Sequence, residues 1–236
     1  MASERLSDLL AMLADGSGVV TGTSQLCQLA ARVTGTSGAG IMLLSDELPR
    51  GSLCTTYGVA AYLEDLQYTL GEGPSVDAHA RGEAVAEPDL AGDPVLRWPV
   101  FGPAAARAGS RAVFGFPVRI GTVRLGALTL TRDRPGMLGE DELTDARAVA
   151  DVAARTILAL QAHALPGDLA TELAEGANFH YVVHQAAGMV SVQLGVGVTE
   201  ALVRLRGHAF LAGRSIDEVS RDVVDRRLRL EASEGP

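Results

Sequence analysis

Residues 111–131 read RAVFGFPVRIGTVRLGALTLT and contain the clearest hairpin pattern in the chain. Alternate residues in its first half are apolar: Ala112, Phe114, Phe116, Val118 and Ile120. Alternation with a period of two is typical of a strand that buries one face. Gly121-Thr122 then supplies a two-residue link whose leading glycine suits a type II′ turn. The stretch therefore predicts a β-hairpin with strands Arg111–Ile120 and Val123–Thr131.

Upstream of the hairpin, the sequence predicts a second antiparallel pair of strands. Ala39–Leu44 is predicted as a buried strand, and Gly51–Tyr57 as its partner across a turn that contains Pro49. Short helices are predicted at Leu6–Leu13, Ser24–Val33, Val59–Leu66, Pro74–Ala80 and Pro94–Ala108. Two antiparallel pairs with intervening helices favour an α+β domain on an antiparallel sheet over a doubly wound parallel one.

From Gly139 onward the chain is predicted to be nearly all helical. Apolar and small residues first recur at intervals of three and four, at Leu143, Ala146, Ala150, Ala153, Ile157, Leu160 and Ala164. This spacing is a heptad seam of about three repeats. Two interpretations stay open: the seam packs against the sheet of its own chain, or it joins two copies of the chain. We expect a homodimer through the residues from Leu143 to Leu160.

Pro166-Gly167 interrupts the helical pattern and marks a domain boundary. Three helices are predicted beyond it, at Asp168–Leu194, Thr199–Leu211 and Ser215–Arg229. Thr199 is a suitable N-cap for the second helix, and Ser215 with Glu218 predicts a capping box for the third. About sixty residues in three helices bury little core alone, so we expect a partner.

Composition places the chain among folded proteins. Its 236 residues are 47% hydrophobic and 21% charged, which excludes a disordered chain. No apolar stretch reaches the roughly 18 residues that a membrane span needs. The N-terminus lacks the basic flank and the apolar block of a signal peptide. We therefore expect a cytoplasmic protein without membrane contact.

All twenty basic residues are arginines, so no lysine is available for a Schiff base or a P-loop. The formal net charge of −9 does not favour general affinity for nucleic acid. Residues 176–230 are locally basic, with seven arginines against five acidic residues. An acidic front region and a locally basic end indicate separate tasks.

The two cysteines, Cys27 and Cys54, lie in apolar surroundings. They form no Cys-x-x-Cys pair and cannot supply a four-thiolate zinc site. In a cytoplasmic protein we expect no disulfide between them. Neither a metal nor a cofactor is expected.

Three segments in order resemble the ANTAR domain, the three-helix RNA-binding module of bacterial antiterminators. They are VHQAAGMVSVQL at 183–194, EALVRLRGHA at 200–209 and RSIDEVSRDVV at 214–224. The preceding region resembles a GAF domain of the type that accompanies ANTAR in actinobacteria, above all in LQYTLGEGPSVD at 66–77. The resemblance implies a GAF-like sensor domain over 1–163 (core about 22–160), an ANTAR domain over 164–228, a tail over 229–236 and a long helical or coiled-coil connection.

The resemblance also implies regulated transcription antitermination. The GAF domain would sense a small molecule or another cue, and dimeric ANTAR domains would bind paired hairpins in a leader RNA. The implied RNA contacts are His184, Gln185, Ala186, Gly188, Arg204, Arg206, His208 and Arg214. Arginines suit phosphates, and amides suit exposed loop bases. Helix packing is the alternative role for the small residues, and a solvated face with a Glu200–Arg204 pair is the alternative for the arginines.

One residue departs from the family pattern. Ala187 stands where the middle residue of the family's Ala-x-Gly motif is commonly Lys, so a charge expected at the RNA surface is missing. The alternative function is therefore a dimeric interaction protein, dominated by its GAF domain, whose C-terminal helices no longer bind RNA.

A small-molecule pocket in the GAF-like region is expected to be lined by Trp98, Phe101, Phe114 and Phe116, with core packing as the other interpretation. Enzyme activity is not expected. Some GAF domains reduce methionine sulfoxide with closely placed cysteines, but Cys27 is predicted on a helix and Cys54 on a strand.

Overall fold

The computed structural model describes residue 11 and residues 23–44, 49–92, 97–162 and 180–230. Except for residue 11, the helix predicted around Leu6–Leu13 lies outside this part of the chain. So do the break at Pro166-Gly167, the predicted boundary at 163/164, the start of the helix predicted from Asp168, and residues 231–236. Contacts divide the chain into two compact units, residues 1–179 and 180–236.

The N-terminal unit is built on a five-stranded antiparallel sheet. Its strands are β1 (Gly38–Leu44), β2 (Pro49–Thr55), β3 (Val85–Glu87), β4 (Ala112–Ile120) and β5 (Val123–Arg132). Their order across the sheet is β2-β1-β5-β4-β3, and every neighbouring pair is antiparallel. The antiparallel sheet and both predicted strand pairs are confirmed, but β2 begins at Pro49, a residue predicted to lie in the turn, and ends at Thr55 instead of Tyr57. The edge strand β3 has three residues, too few for alternation to predict it.

The hairpin formed by β4 and β5 has the predicted turn. Ile120 of β4 pairs with Val123 of β5, so Gly121 and Thr122 form the two-residue link. Gly121 has a φ of +59°, which a primed turn requires at its first position. Among the described residues only His180 and Arg226 are non-glycine residues with positive φ. Thr122 therefore excludes type I′ and agrees with type II′.

The described helices of this unit are α1 (Ser24–Val33), α2 (Val59–Leu70), α3 (Pro74–Arg81), α4 (Phe101–Arg107) and α5 (Glu140–Gln161). α1 and α5 pack together on one face of the sheet, and α2 and α3 pack on the other. α4 packs against α2. It begins at Phe101 and not at the predicted Pro94, since Pro99 disfavours helical backbone at Trp98.

The heptad seam of α5 packs inside the chain. Ala146, Ala150, Ala153 and Ile157 are buried in one core cluster with α1 and the strands, and Leu143 and Leu160 pack against it. The prediction that this seam joins two copies is therefore corrected: its small side chains let α5 lie close to its own sheet. Homodimerisation stays a prediction, but it needs another surface.

Cys27 of α1 and Cys54 of β2 form a disulfide, so the expectation of two separate thiols is wrong. The fold packs α1 against β2, and both side chains belong to the core cluster on the α1–α5 face. Because 27 positions separate the two cysteines, no local pattern indicates the pairing.

The C-terminal unit contains α6 (Tyr181–Leu194), α7 (Val198–Leu211) and α8 (Ile216–Val224), and each packs against the other two. The predicted capping box is confirmed, since Ser215 and Glu218 exchange two hydrogen bonds of 3.2 Å. α7 has Gly197 as its N-cap, so Thr199 lies within the first turn. α8 ends before the predicted Arg229, because Arg226 takes a left-handed conformation with φ +60°.

No single helix in the described ranges is long and apolar enough to cross a membrane. The pair α6 and α7 passes that test together by length and composition, but the two helices are bent by 104°. Much of their apolar content is buried within the unit, at Val183, Val190, Leu202 and Leu205.

Candidate functional site

A cluster of polar side chains is buried where α2 and α3 lie against the sheet. It consists of Glu64 and Gln67 of α2, Ser75 of α3 and Thr129 of β5. The Gln67 amide nitrogen donates to Glu64 Oε1 and to Thr129 Oγ1, each at 3.2 Å. Gln67 Oε1 accepts the Ser75 backbone N–H at 2.7 Å, and the Ser75 and Thr129 hydroxyls bond to each other. This network fixes the Glu64 carboxyl against the sheet.

Glu64 is the residue with unusual acid–base chemistry. It is 1% exposed, and its Oε2 atom has no hydrogen-bond partner among the described residues. Burial raises the pKa of Glu64 from 4.5 to about 8, and the charge of Asp65 adds to the rise, whereas hydrogen bonds with Thr129 and Gln67 oppose it. Gly40 leaves room for this side chain, because a Cβ there would lie 2.5 Å from Glu64 Cγ. The carboxyl is therefore mostly protonated at neutral pH.

Trp98 and Phe101, two of the predicted pocket residues, lie together. Their buried rings pack edge to face with centroids 5.6 Å apart. Glu72 fixes the start of α4, because one of its carboxylate oxygens accepts the N–H groups of Val100 and Phe101 at 2.8 and 2.5 Å. Trp98 Nε1 is buried and has no acceptor among the described residues. It is a donor that a bound molecule could use.

The other two predicted pocket residues lie on the opposite face of the sheet. Phe114 and Phe116 belong to the core cluster with α1 and α5. The prediction of one pocket lined by all four aromatic residues is therefore corrected, because alternate positions of β4 place these two side chains away from α2 and α3. Phe116 also lines an open groove of about 560 Å³, which Arg119 and Arg147 line as well.

The predicted RNA contacts on α6 differ in exposure. Ala186 is fully buried, so the prediction that it contacts RNA is corrected to a role in helix packing. Ala187 is 1% exposed, and the position therefore does not lie on the surface where a missing charge was expected. Gln185 is exposed, whereas His184 and Gly188 are half-buried.

The predicted arginines lie on α7 and just before α8. Arg204 is exposed and pairs with Glu200 at 3.1 Å, one turn earlier on the helix. Arg214 pairs with Asp222 at 2.7 Å. Arg206 and His208 are half-buried. Exposed ion pairs of this kind contribute little to stability, so neither pair fixes its arginine strongly in place.

A buried histidine, not predicted as a site residue, ties the first helix of this unit to the third. His180 precedes α6 with φ +42°, and its Nδ1 atom lies 2.9 and 3.1 Å from the two carboxylate oxygens of Asp217. Hydrogen bonding to His180 holds the pKa of Asp217 below its ordinary value. The two residues are 37 positions apart, so local sequence patterns do not reveal the pair.

Comparison with known proteins gives the family of the N-terminal unit. Residues 23–157 match the family described as the GAF domain. The structure is similar to the GAF domain of a phosphoenolpyruvate-protein phosphotransferase from Coxiella burnetii, with a TM-score of 0.52 and 14% identity over 68% of this chain and 95% of that one. The GAF domain of the Acinetobacter phosphoenolpyruvate-protein phosphotransferase gives 0.50 and 13% over 69% and 96%.

A third similar structure is the chromophore-binding domain of a bacteriophytochrome from R. palustris, with a TM-score of 0.50 and 12% identity over 68% of this chain and 62% of that one. At these identities the similarity shows the fold alone. No curated protein matches the chain.

Proposed function

The chain belongs to the GAF family of mostly sensory domains, and we propose that it is a signal-responsive, RNA-binding regulator of transcription antitermination. The N-terminal unit responds to a small molecule or another cue. The C-terminal unit binds paired stem-loops of a leader RNA as a dimer, in the cytoplasm, where nascent RNA is made. Because the bound leader cannot fold into a terminator, transcription continues. The action is a shift between two RNA folds and includes no catalytic step.

The observation that carries the proposal is the surface of the C-terminal unit. The ANTAR-like segments correspond to three mutually packed helices, and the described part of this unit has seven arginines against five acidic residues. Arg204 and Arg214 are exposed cations, and Gln185 is an exposed amide. Cations of this kind bind phosphates in a salt-dependent way, and amides recognise exposed loop bases.

The absence of lysine at position 187 does not weigh against this proposal. Ala187 is buried among the helices of its unit, so an alanine there removes no cation from the exposed surface. The proposed contacts come instead from Gln185, from Arg204 and from Arg214.

For the sensor part, we propose that the small molecule acts on the side of the sheet that packs against α2 and α3. Glu64 Oε2 and Trp98 Nε1 are both buried, and neither has a hydrogen-bond partner in the described part of the chain. Buried polar atoms in folded proteins are nearly always hydrogen-bonded. A protonated carboxyl and an indole N–H both donate, so they favour an uncharged molecule that carries hydrogen-bond acceptors.

Fluorescence anisotropy with labelled tandem-hairpin leader RNAs tests the RNA part. We expect salt-sensitive binding by the full chain, and a loss of about 5- to 30-fold in affinity for Arg204→Ala, which corresponds to about 1–2 kcal/mol. Arg155→Ala is the matched control, because Arg155 is an exposed arginine of the N-terminal unit. No binding by the wild type, or equal losses for the two variants, would contradict the proposal.

A second candidate function is a dimeric interaction protein whose C-terminal helices do not bind RNA. It is favoured by Val203, Phe210 and Leu211 on α7, which are 57%, 56% and 87% exposed. Grouped exposed apolar side chains are typical of a surface that binds protein. If this candidate is correct, light scattering should show a stable dimer for the wild type and monomers for Phe210→Ser. Arg204→Ala should then have no effect in the cell.

A further inference from the structure

The disulfide joins α1 to an edge strand of the sheet. Cys27 lies on α1 and Cys54 on β2, with their Cα atoms 6.1 Å apart, and the chain has no other cysteine. Thr23 adds one long hydrogen bond from its hydroxyl to the Leu53 carbonyl, at 3.4 Å. α1 also packs through apolar side chains against α5 and the strands. The disulfide is therefore the covalent part of this attachment.

Both cysteines are buried, so a small reagent reaches the disulfide only when β2 opens locally, and the position of Cys54 favours such opening. β2 is at the edge of the sheet, and its pairing with β1 is irregular at this point: Ile41 pairs with Cys54, whereas Met42 pairs with Ser52. An irregularly paired edge opens locally more easily than a central strand. Cys54 is 4% exposed and Cys27 is fully buried, so a small thiol meets the Cys54 sulfur first.

The core also suits the reduced state. A protonated cysteine behaves as a small apolar side chain, and both cysteines belong to the apolar cluster on the α1–α5 face. Reduction therefore removes a cross-link without leaving a charge in the core. Because both states can fold, the chemistry can run in either direction.

We propose that Cys27 and Cys54 form a reversible redox site that responds to the balance between low-molecular-weight thiols and their disulfides. A thiolate, R–S⁻, attacks the Cys54 sulfur, forms a mixed disulfide with it and releases Cys27 as a thiolate that takes up a proton. A second R–S⁻ attacks the R sulfur of the mixed disulfide, leaves as R–S–S–R and releases Cys54, which also takes up a proton. Two electrons pass from the small thiols to the protein, and R–S–S–R reverses the reaction.

Reduction removes the covalent link between α1 and β2 and loosens the packing of α1 against α5. The signal that the N-terminal unit senses would then be the redox state of small thiols. Any effect of this site on RNA binding rests on the function proposed above. The redox chemistry and the change at α1 are properties of the N-terminal unit alone.

The first test is a titration of the full chain in mixtures of reduced and oxidised glutathione, with free thiols counted by mass after alkylation. We expect a reversible change between no free thiol and two per chain. If no thiol appears at the highest proportion of reduced glutathione, the disulfide is permanent and the proposal is overturned. It is also overturned if two thiols persist in oxidised glutathione alone.

The second test follows the structural effect. We expect reduction to lower the melting temperature of the N-terminal unit by about 5–15 °C and to speed amide hydrogen exchange in α1 by about tenfold or more. The double variant Cys27→Ala/Cys54→Ala is the control, and its melting temperature should not respond to glutathione. Equal exchange of α1 in the two states of the wild type overturns the proposal without needing any variant.

RNA binding, measured in both redox states, separates this inference from the proposed function. Affinity that differs between the states supports both. If neither the oxidised nor the reduced protein binds RNA, the antitermination proposal is overturned. The redox site is still supported in that case if the thiol titration gives the expected result. Equal RNA affinity in both states overturns the assignment of the redox site as the regulatory signal.

Discussion

Replacing Glu64 with glutamine should remove most of the dependence on pH that this residue gives to the stability of the N-terminal unit. Burial raises its pKa from 4.5 to about 8, so the folded protein holds the proton more tightly than the unfolded chain does. The contribution of Glu64 to the free energy of unfolding is therefore largest below pH 4.5 and falls as the pH rises toward about 8. A pKa rise of this size corresponds to a loss of roughly 3–5 kcal/mol over that range, with water entry lowering the figure.

Urea unfolding of the full chain from about pH 5 to about pH 9 measures this effect. Trp98 is the only tryptophan and lies in the N-terminal unit, so its fluorescence follows that unit alone. Glu64→Gln keeps the size of the side chain and an oxygen for Gln67 but cannot ionise, so its profile should be nearly flat. Glu83→Gln, at an exposed site of the same unit, should keep the wild-type slope. Equal slopes for wild type and Glu64→Gln would show that Glu64 does not cause the dependence of stability on pH.

Three further changes test other parts of the structure. Asp217→Asn should destabilise the C-terminal unit by about 1–3 kcal/mol, because it removes the ionised partner of buried His180. Folding lowers the pKa of Asp217 from 3.8, so its contribution to the stability of the C-terminal unit is present above pH 3.8. That contribution is lost as the pH falls through the pKa of Asp217 in the folded protein. Hydrogen exchange in α6 and α8 measures the stability of the unit. Arg132→Met should cost about 1–3 kcal/mol in urea unfolding, because the buried guanidinium loses its 2.5 Å hydrogen bond to the partly exposed Glu142; an unchanged midpoint contradicts this. Ala187→Lys should lower the helix content seen by circular dichroism, because it puts a cation among buried helices; tighter RNA binding with normal helix content would instead place position 187 on the surface.

The elements with strong local patterns could be predicted from the sequence. Period-two alternation and a leading glycine are sufficient for the β4–β5 hairpin, and the Ser215–Glu218 capping box is a local interaction. The heptad spacing of α5 also predicts correctly which face of the helix is buried, but local sequence does not show what that face packs against. Small residues at heptad spacing suit a neighbouring helix or a sheet equally, and here the sheet of the same chain occupies that face.

The candidate site could be predicted only in part. Trp98 and Phe101 are in contact, since they are close in sequence, but their buried rings fit core packing as well as a pocket, so the predicted pocket stays a prediction. On an amphipathic helix such as α2, a glutamate is normally expected to face solvent. Glu64 is instead buried, which depends on the space above Gly40, a strand residue far from it in sequence. The pairs Cys27–Cys54 and His180–Asp217 likewise arise from tertiary packing across many residues.

Sequencing of RNA crosslinked to the protein in its native cell shows whether the C-terminal unit binds leader transcripts. We expect enrichment of leader transcripts that contain paired stem-loops, and a marked loss of that enrichment with Arg204→Ala but not with Arg155→Ala. Recovery of no enriched transcript from cells that contain the folded wild-type protein would contradict this expectation.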